Sequence, residues 1–63
     1  MFRVYVPESK DEEPGYYGGF FAGHLSIGER SDALLYRDGE PALETARIIS
    51  ALLNVEAHVE EIA

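Results

Sequence analysis

Cysteine and tryptophan are absent from these 63 residues, and Lys and Arg together number only 5. Without cysteine the chain has no disulfide to restrain it and no thiolate metal site. A chain this short hides only about 60% of the surface it would expose unfolded. Stability must therefore come from packing, from a partner or from self-association, and a homodimer is one way to supply it. No apolar run approaches the roughly 20 residues that a helix needs to cross a bilayer. The start, Met1-Phe2-Arg3-Val4-Tyr5, places one positive charge before no long apolar segment, so a soluble, cytoplasmic protein is expected.

Against those few basic side chains stand 12 acidic ones, for a net charge of -7. Affinity for DNA or RNA is gained when Lys and Arg displace counterions, so this chain is not expected to bind nucleic acid directly. The same field steers it towards basic surfaces, including the grooves in which other proteins hold nucleic acid. Solubility alone is the competing explanation of the charge.

Along the chain, Phe2, Val4 and Val6 alternate with Arg3 and Tyr5, the pattern of a strand with one buried face, and Pro7 closes it. Residues 8–15 hold four carboxylates, Glu8, Asp11, Glu12 and Glu13, and read as a solvated loop. Residues 16–27 are rich in aromatics and glycine and predict a bent or bulged second strand. Residues 28–31 turn the chain, and 32–37 predict a third strand. Pro41 suits the first turn of a helix over about 41–53, with Ala42, Leu43, Ala46, Ile49, Leu52 and Leu53 on its apolar face and Ile48 at the margin. Asn54 supplies a left-handed stop. Residues 55–62 alternate again as a fourth strand, with Val55, Ala57 and Val59 inward and Ile62 out of phase. A competing reading makes Asp38-Gly39 a hairpin turn, but Pro41 would then remove a ladder donor.

The expectation is a single acidic α+β domain over residues 1–63: a small antiparallel sheet of about four strands with one helix on one face, in the order β-β-β-α-β. A lone helix covers one face, so the other must meet water or a partner.

The chemical inventory argues against an enzyme. Ser9, Ser26, Ser31 and Ser50 sit in no nucleophile-plus-base pattern, and Gly18-Gly19 lacks the context of a phosphate loop. Glu12-Glu13 and Glu60-Glu61 are adjacent pairs that a strand would send to opposite faces. His24 and His58 could join Glu56 or Glu60 at a metal if their strands were neighbours, but the spacing is not that of a ligand set, and neither metal nor cofactor is expected.

The aromatic set is more telling. Alternation forbids burial of both Tyr16 and Tyr17, or of both Phe20 and Phe21, beneath one helix, so large rings must lie exposed. Exposed aromatics beside glycines are what protein interfaces use as anchors. The loop carboxylates and those of the C-terminal strand could imitate phosphates before an Arg-rich groove. The candidate partner contacts are thus Glu8, Asp11, Glu12, Glu13, Tyr16, Tyr17, Phe21, Glu60 and Glu61.

In size, charge and strand-rich order with one helix, including the run Tyr36-Arg37-Asp38-Gly39-Glu40-Pro41-Ala42-Leu43-Glu44-Thr45-Ala46, the chain resembles small phage-encoded accessory proteins, anti-CRISPR proteins among them. That resemblance implies a protein-binding inhibitor in the host cytoplasm, acting as a DNA mimic or interface wedge on a nuclease or defence complex. Through Gly15-Tyr16-Tyr17-Gly18-Gly19-Phe20 and Leu43-Glu44-Thr45-Ala46-Arg47 it also resembles HicB-type antitoxins, whose Pro-Asp-Leu-Pro-Gly segment is replaced here by Leu25-Ser26-Ile27-Gly28. A self-assembling structural phage protein is the alternative from another class.

Overall fold

The computed structural model describes residues 1–62. Strand β1, Phe2–Val6, lies inside a four-stranded antiparallel sheet with β2, Gly15–Phe21, on one side and β4, His58–Glu61, on the other. β3, His24–Gly28, completes the order β3-β2-β1-β4. The single long helix, α1, spans Gly39–Leu53, giving the expected β-β-β-α-β succession. Alternation in β1 works as read, since Val4 and Val6 are wholly buried beneath the helix.

The helix begins slightly before Pro41, which occupies its first turn, where amides have no intrahelical acceptor to lose. It ends at Asn54, in the left-handed conformation at φ 54°, and the Val55 N–H closes the end on the Ser50 carbonyl at 3.2 Å. Ala42, Ala46 and Ile49 are buried and Leu53 packs beside them. The expected apolar face was too broad, because Leu43 and Leu52 are exposed. The helix packs on β1 and β4, not on the full width of the sheet, so the arc it can bury is narrow and residues about a quarter turn away fall outside it.

The third strand is not where the sequence pattern put it. Ala22 and Gly23 take positive φ, 51° and 80°, and make a two-residue turn that splits the expected long strand into the β2–β3 hairpin. Such a turn needs both central residues left-handed and usually announces itself as Asn-Gly or Asp-Gly, a sign that Ala22 does not carry. Residues 32–37, expected as a strand, hold the end of a 3-10 turn, Arg30–Asp32, and a single bridge between Tyr36 and Phe2. Their role follows from a bulge between Tyr17 and Gly19, beyond which β2 no longer pairs with β1. The chain enters that wedge: the Leu34 N–H reaches the Tyr17 carbonyl at 2.9 Å, while Tyr36 and Phe2 exchange backbone hydrogen bonds of 2.8 Å.

The last strand is shorter than residues 55–62. Val55, Ala57 and Val59 do pack against the core, but the Ala57 N–H is tied to the helix through Ser50 Oγ at 3.0 Å, and pairing starts only at His58.

Candidate partner-binding surface

The face of the sheet turned away from α1 is built by the out-of-phase residues of three strands. β1 contributes Arg3 and Tyr5, β4 contributes His58 and Glu60, and β2 contributes Tyr16. Arg3 and Glu60 stand directly opposite each other, and Arg3 Nε donates to Glu60 Oε1 at 2.9 Å. The Tyr16 hydroxyl donates to the same oxygen at 3.1 Å. The Arg3 hydrogen bond, supported by that of Tyr16, outweighs desolvation and holds the Glu60 carboxyl below its ordinary range.

Tyr16 is the hub. Tyr5 meets it edge-on at 5.4 Å and itself leans on His58 at 5.2 Å. The Arg3 guanidinium lies 5.0 Å from the Tyr16 ring centroid and that of Arg30 lies 5.9 Å away, so this ring already serves as a platform for cations.

Beside the hub opens a cleft of about 780 Å³. Tyr5 and Tyr16 line it together with Asp11, Glu12 and Glu13 of the loop and Arg30 of the 3-10 turn. The loop is held in a turn by the Ser9 N–H donating to the Glu12 carbonyl at 3.0 Å, and the carboxylates of Asp11, Glu12 and Glu13 remain exposed. Gly15, where the loop enters β2, is a position where a side chain has no room: a Cβ there would stand 2.7 Å from the Gly28 carbonyl oxygen. That close approach keeps the loop against the end of β3.

Of the candidate contacts read from the sequence, Asp11, Glu12, Glu13 and Tyr16 come together at this cleft. Glu60 adjoins them through Tyr16, with its carboxylate engaged by Arg3. Glu8 is exposed on the same loop, outside the cleft lining. Glu61 is exposed but alternation turns it to the opposite face. Phe21 is 64% exposed at the hairpin tip, roughly 17 Å along β2 from Tyr16.

Tyr17 is a correction. It is only 8% exposed, belongs to the core and packs edge-to-face with Phe20 at 6.2 Å. Burial, assisted by the nearby Tyr36, pushes its hydroxyl above the usual tyrosine range. The alternation that turns Tyr16 outward sends Tyr17 in, so it offers nothing to a partner. The strands of the two histidines are not neighbours: His24 and His58 lie on opposite edge strands, β3 and β4, separated by about 14 Å across the sheet and by a comparable distance along it. Among the described residues no three metal-ligating side chains gather.

Tyr5, Arg3 and Arg30 join this surface in addition to the contacts expected from the sequence. The phase of Arg3 and Tyr5 against Val4 and Val6 was enough to place both on the uncovered face. Arg30 gave no comparable signal, because its position depends on the path of the 3-10 turn.

Comparison with protein-family models, curated proteins and solved structures finds no match for this chain. No described helix is long and apolar enough to cross a membrane.

Proposed function

We propose that this chain is a small acidic protein-binding inhibitor of the phage-encoded kind, acting in the cytoplasm by covering the basic surface of a nucleic-acid-handling or defence protein. One observation carries the reading: three exposed loop carboxylates and two tyrosine rings line a single cleft on the face that no helix covers. An arginine or lysine entering there meets negative charge from Asp11, Glu12 and Glu13 and an aromatic face from Tyr16. The net charge of -7 brings such a partner in at long range.

The test is capture of bacterial proteins on the immobilised chain, with and without added duplex DNA. Basic, nucleic-acid-binding partners are expected, released by the DNA and by raised ionic strength. Glu12→Arg with Glu13→Arg should reduce their capture at least tenfold. Capture that is indifferent to the charge reversal and to DNA would overturn the proposal.

A further inference from the structure

Strand β3 is bonded on one side only, to β2, and the hairpin fixes which of its backbone groups are free. Phe21 and His24 flank the two-residue turn, and such a pair exchanges both of its backbone bonds. Alternation along β3 then turns the N–H and C=O of Leu25 and of Ile27 away from β2. Among the described residues no backbone group from elsewhere meets them. An edge of this kind is a template for one more strand.

What that strand must carry is set by the two faces of β3. Leu25 and Ile27 turn towards the side of α1 and are only partly buried, because the helix packs on β1 and β4. On the other face Gly28 stands opposite Tyr16 and offers no side chain. Ile27 and Gly28 form one wall of the acidic cleft. Asp11, Glu12, Glu13 and Glu29 line that cleft against the single guanidinium of Arg30. Asp32 adds to the negative side at the margin, since a Cβ on Gly28 would stand only 3.7 Å from its carboxylate.

We infer that an extended segment of a protein partner pairs antiparallel with β3 and carries arginine or lysine at the residue facing Gly28, whose side chain crosses the bare glycine into the cleft. This mode of binding rests on the cleft being the seat of a cationic partner, and adds how the partner is held. Read from its N-terminus, the segment is basic, apolar, unrestricted, apolar. Its two apolar residues exchange both backbone bonds with Ile27 and Leu25 and cover their half-buried side chains. Its basic residue lies one strand spacing, about 4.8 Å, from Gly28 and two from Tyr16. The cleft and the net charge of -7 draw in a cationic segment and repel an acidic one, a second copy of this chain included. The β4 edge has no such complement, because the Glu60 carboxylate is already engaged by Arg3 and Tyr16.

The test uses the intact chain and the synthetic peptide Ser-Arg-Val-Thr-Val-Ser, blocked at both ends, with binding followed by NMR of the isotope-labelled chain. Saturating peptide should slow amide exchange at Leu25 and Ile27 at least tenfold and leave the β4 amides unchanged. N-methylation of either valine removes an N–H aimed at β3 and should weaken binding at least tenfold. N-methylation of the threonine, whose N–H points away, should change it less than about twofold. Glutamate in place of the peptide's arginine should weaken binding at least tenfold, as should Glu12→Arg with Glu13→Arg in the chain. Binding that depends on these charges but not on which residue is methylated, or that protects β4 instead, would overturn the strand pairing and leave the cleft as the seat of a cationic partner. Binding indifferent to the charges would overturn both readings, and no binding at millimolar peptide would overturn the strand pairing alone.

Discussion

The two halves of the sheet are built on different terms. β1, β4 and α1 enclose Val4, Val6, Ala42, Ala46 and Ile49, none of them more than 2% exposed. The β2–β3 hairpin buries Tyr17 but leaves Phe20 and Phe21 more than half exposed, with Leu25 and Ile27 only partly covered. One helix of fifteen residues is wide enough for two strands. The difference teaches that most of the core lies in one half, while the other adds Tyr17 to it and relies more on backbone pairing and on the Leu34 and Tyr36 wedge.

The strongest way to break that comparison is a pair of truncations. Ile49→Ala in the covered half should cost about 2–5 kcal/mol, a large part of the roughly 3–9 kcal/mol expected for a domain of this size. Phe20→Ala in the hairpin should cost about 1 kcal/mol, mostly its edge-to-face contact with Tyr17. Urea unfolding of both variants reads the difference directly, and equal losses would erase the distinction between the halves.

The turn that closes the hairpin sharpens the picture at smaller amplitude. Gly23 holds φ 80°, so Gly23→Ala should cost about 1–2 kcal/mol. Ala22 holds φ 51° at a position that Asn accepts readily, and Ala22→Asn should raise the thermal midpoint, by roughly 0.5–1 kcal/mol of stability. A midpoint that moves the same way for both variants would mean that this turn is not formed in solution.

The smallest effect concerns the ion pair on the open face. Arg3 and Tyr16 lower the Glu60 carboxyl from its ordinary value of 4.5. Its contribution is therefore fully present above the unfolded-state value and is lost as pH falls through the lowered folded-state value. Native chain and Glu60→Gln should differ by less than about 1 kcal/mol near neutrality, as partly exposed pairs do, and the gap should close as pH falls below the ordinary carboxyl value and through the lowered one. A gap that persists at the acid end would assign the effect to packing of the side chain.

Much of the covered half was legible in the order of residues, because its signals are local. Val4 and Val6 against Arg3 and Tyr5 give a face, Pro41 fits an early turn, and Asn54 closes the helix. The hairpin half was harder to read. Ala22-Gly23 lacks the side chain that marks its turn type, and an extra residue at the bulge resets the alternation from which the faces of Phe20 and Phe21 would be read. The acidic loop was plain as a charge run, yet its meeting with Tyr5, Tyr16 and Arg30 was not, since those residues come from separate elements.

The amino-acid order by itself determined the class of fold, the sign of the charge, the inward face of β1 and the end of the helix, all of which follow from neighbours a few residues apart. Only the tertiary structure decided which residues form β3, how narrow an arc of the helix is buried, and which carboxylates stand beside which rings. Those outcomes depend on how much of the sheet one helix can cover and on where β2 parts from β1, and contacts between distant segments set both.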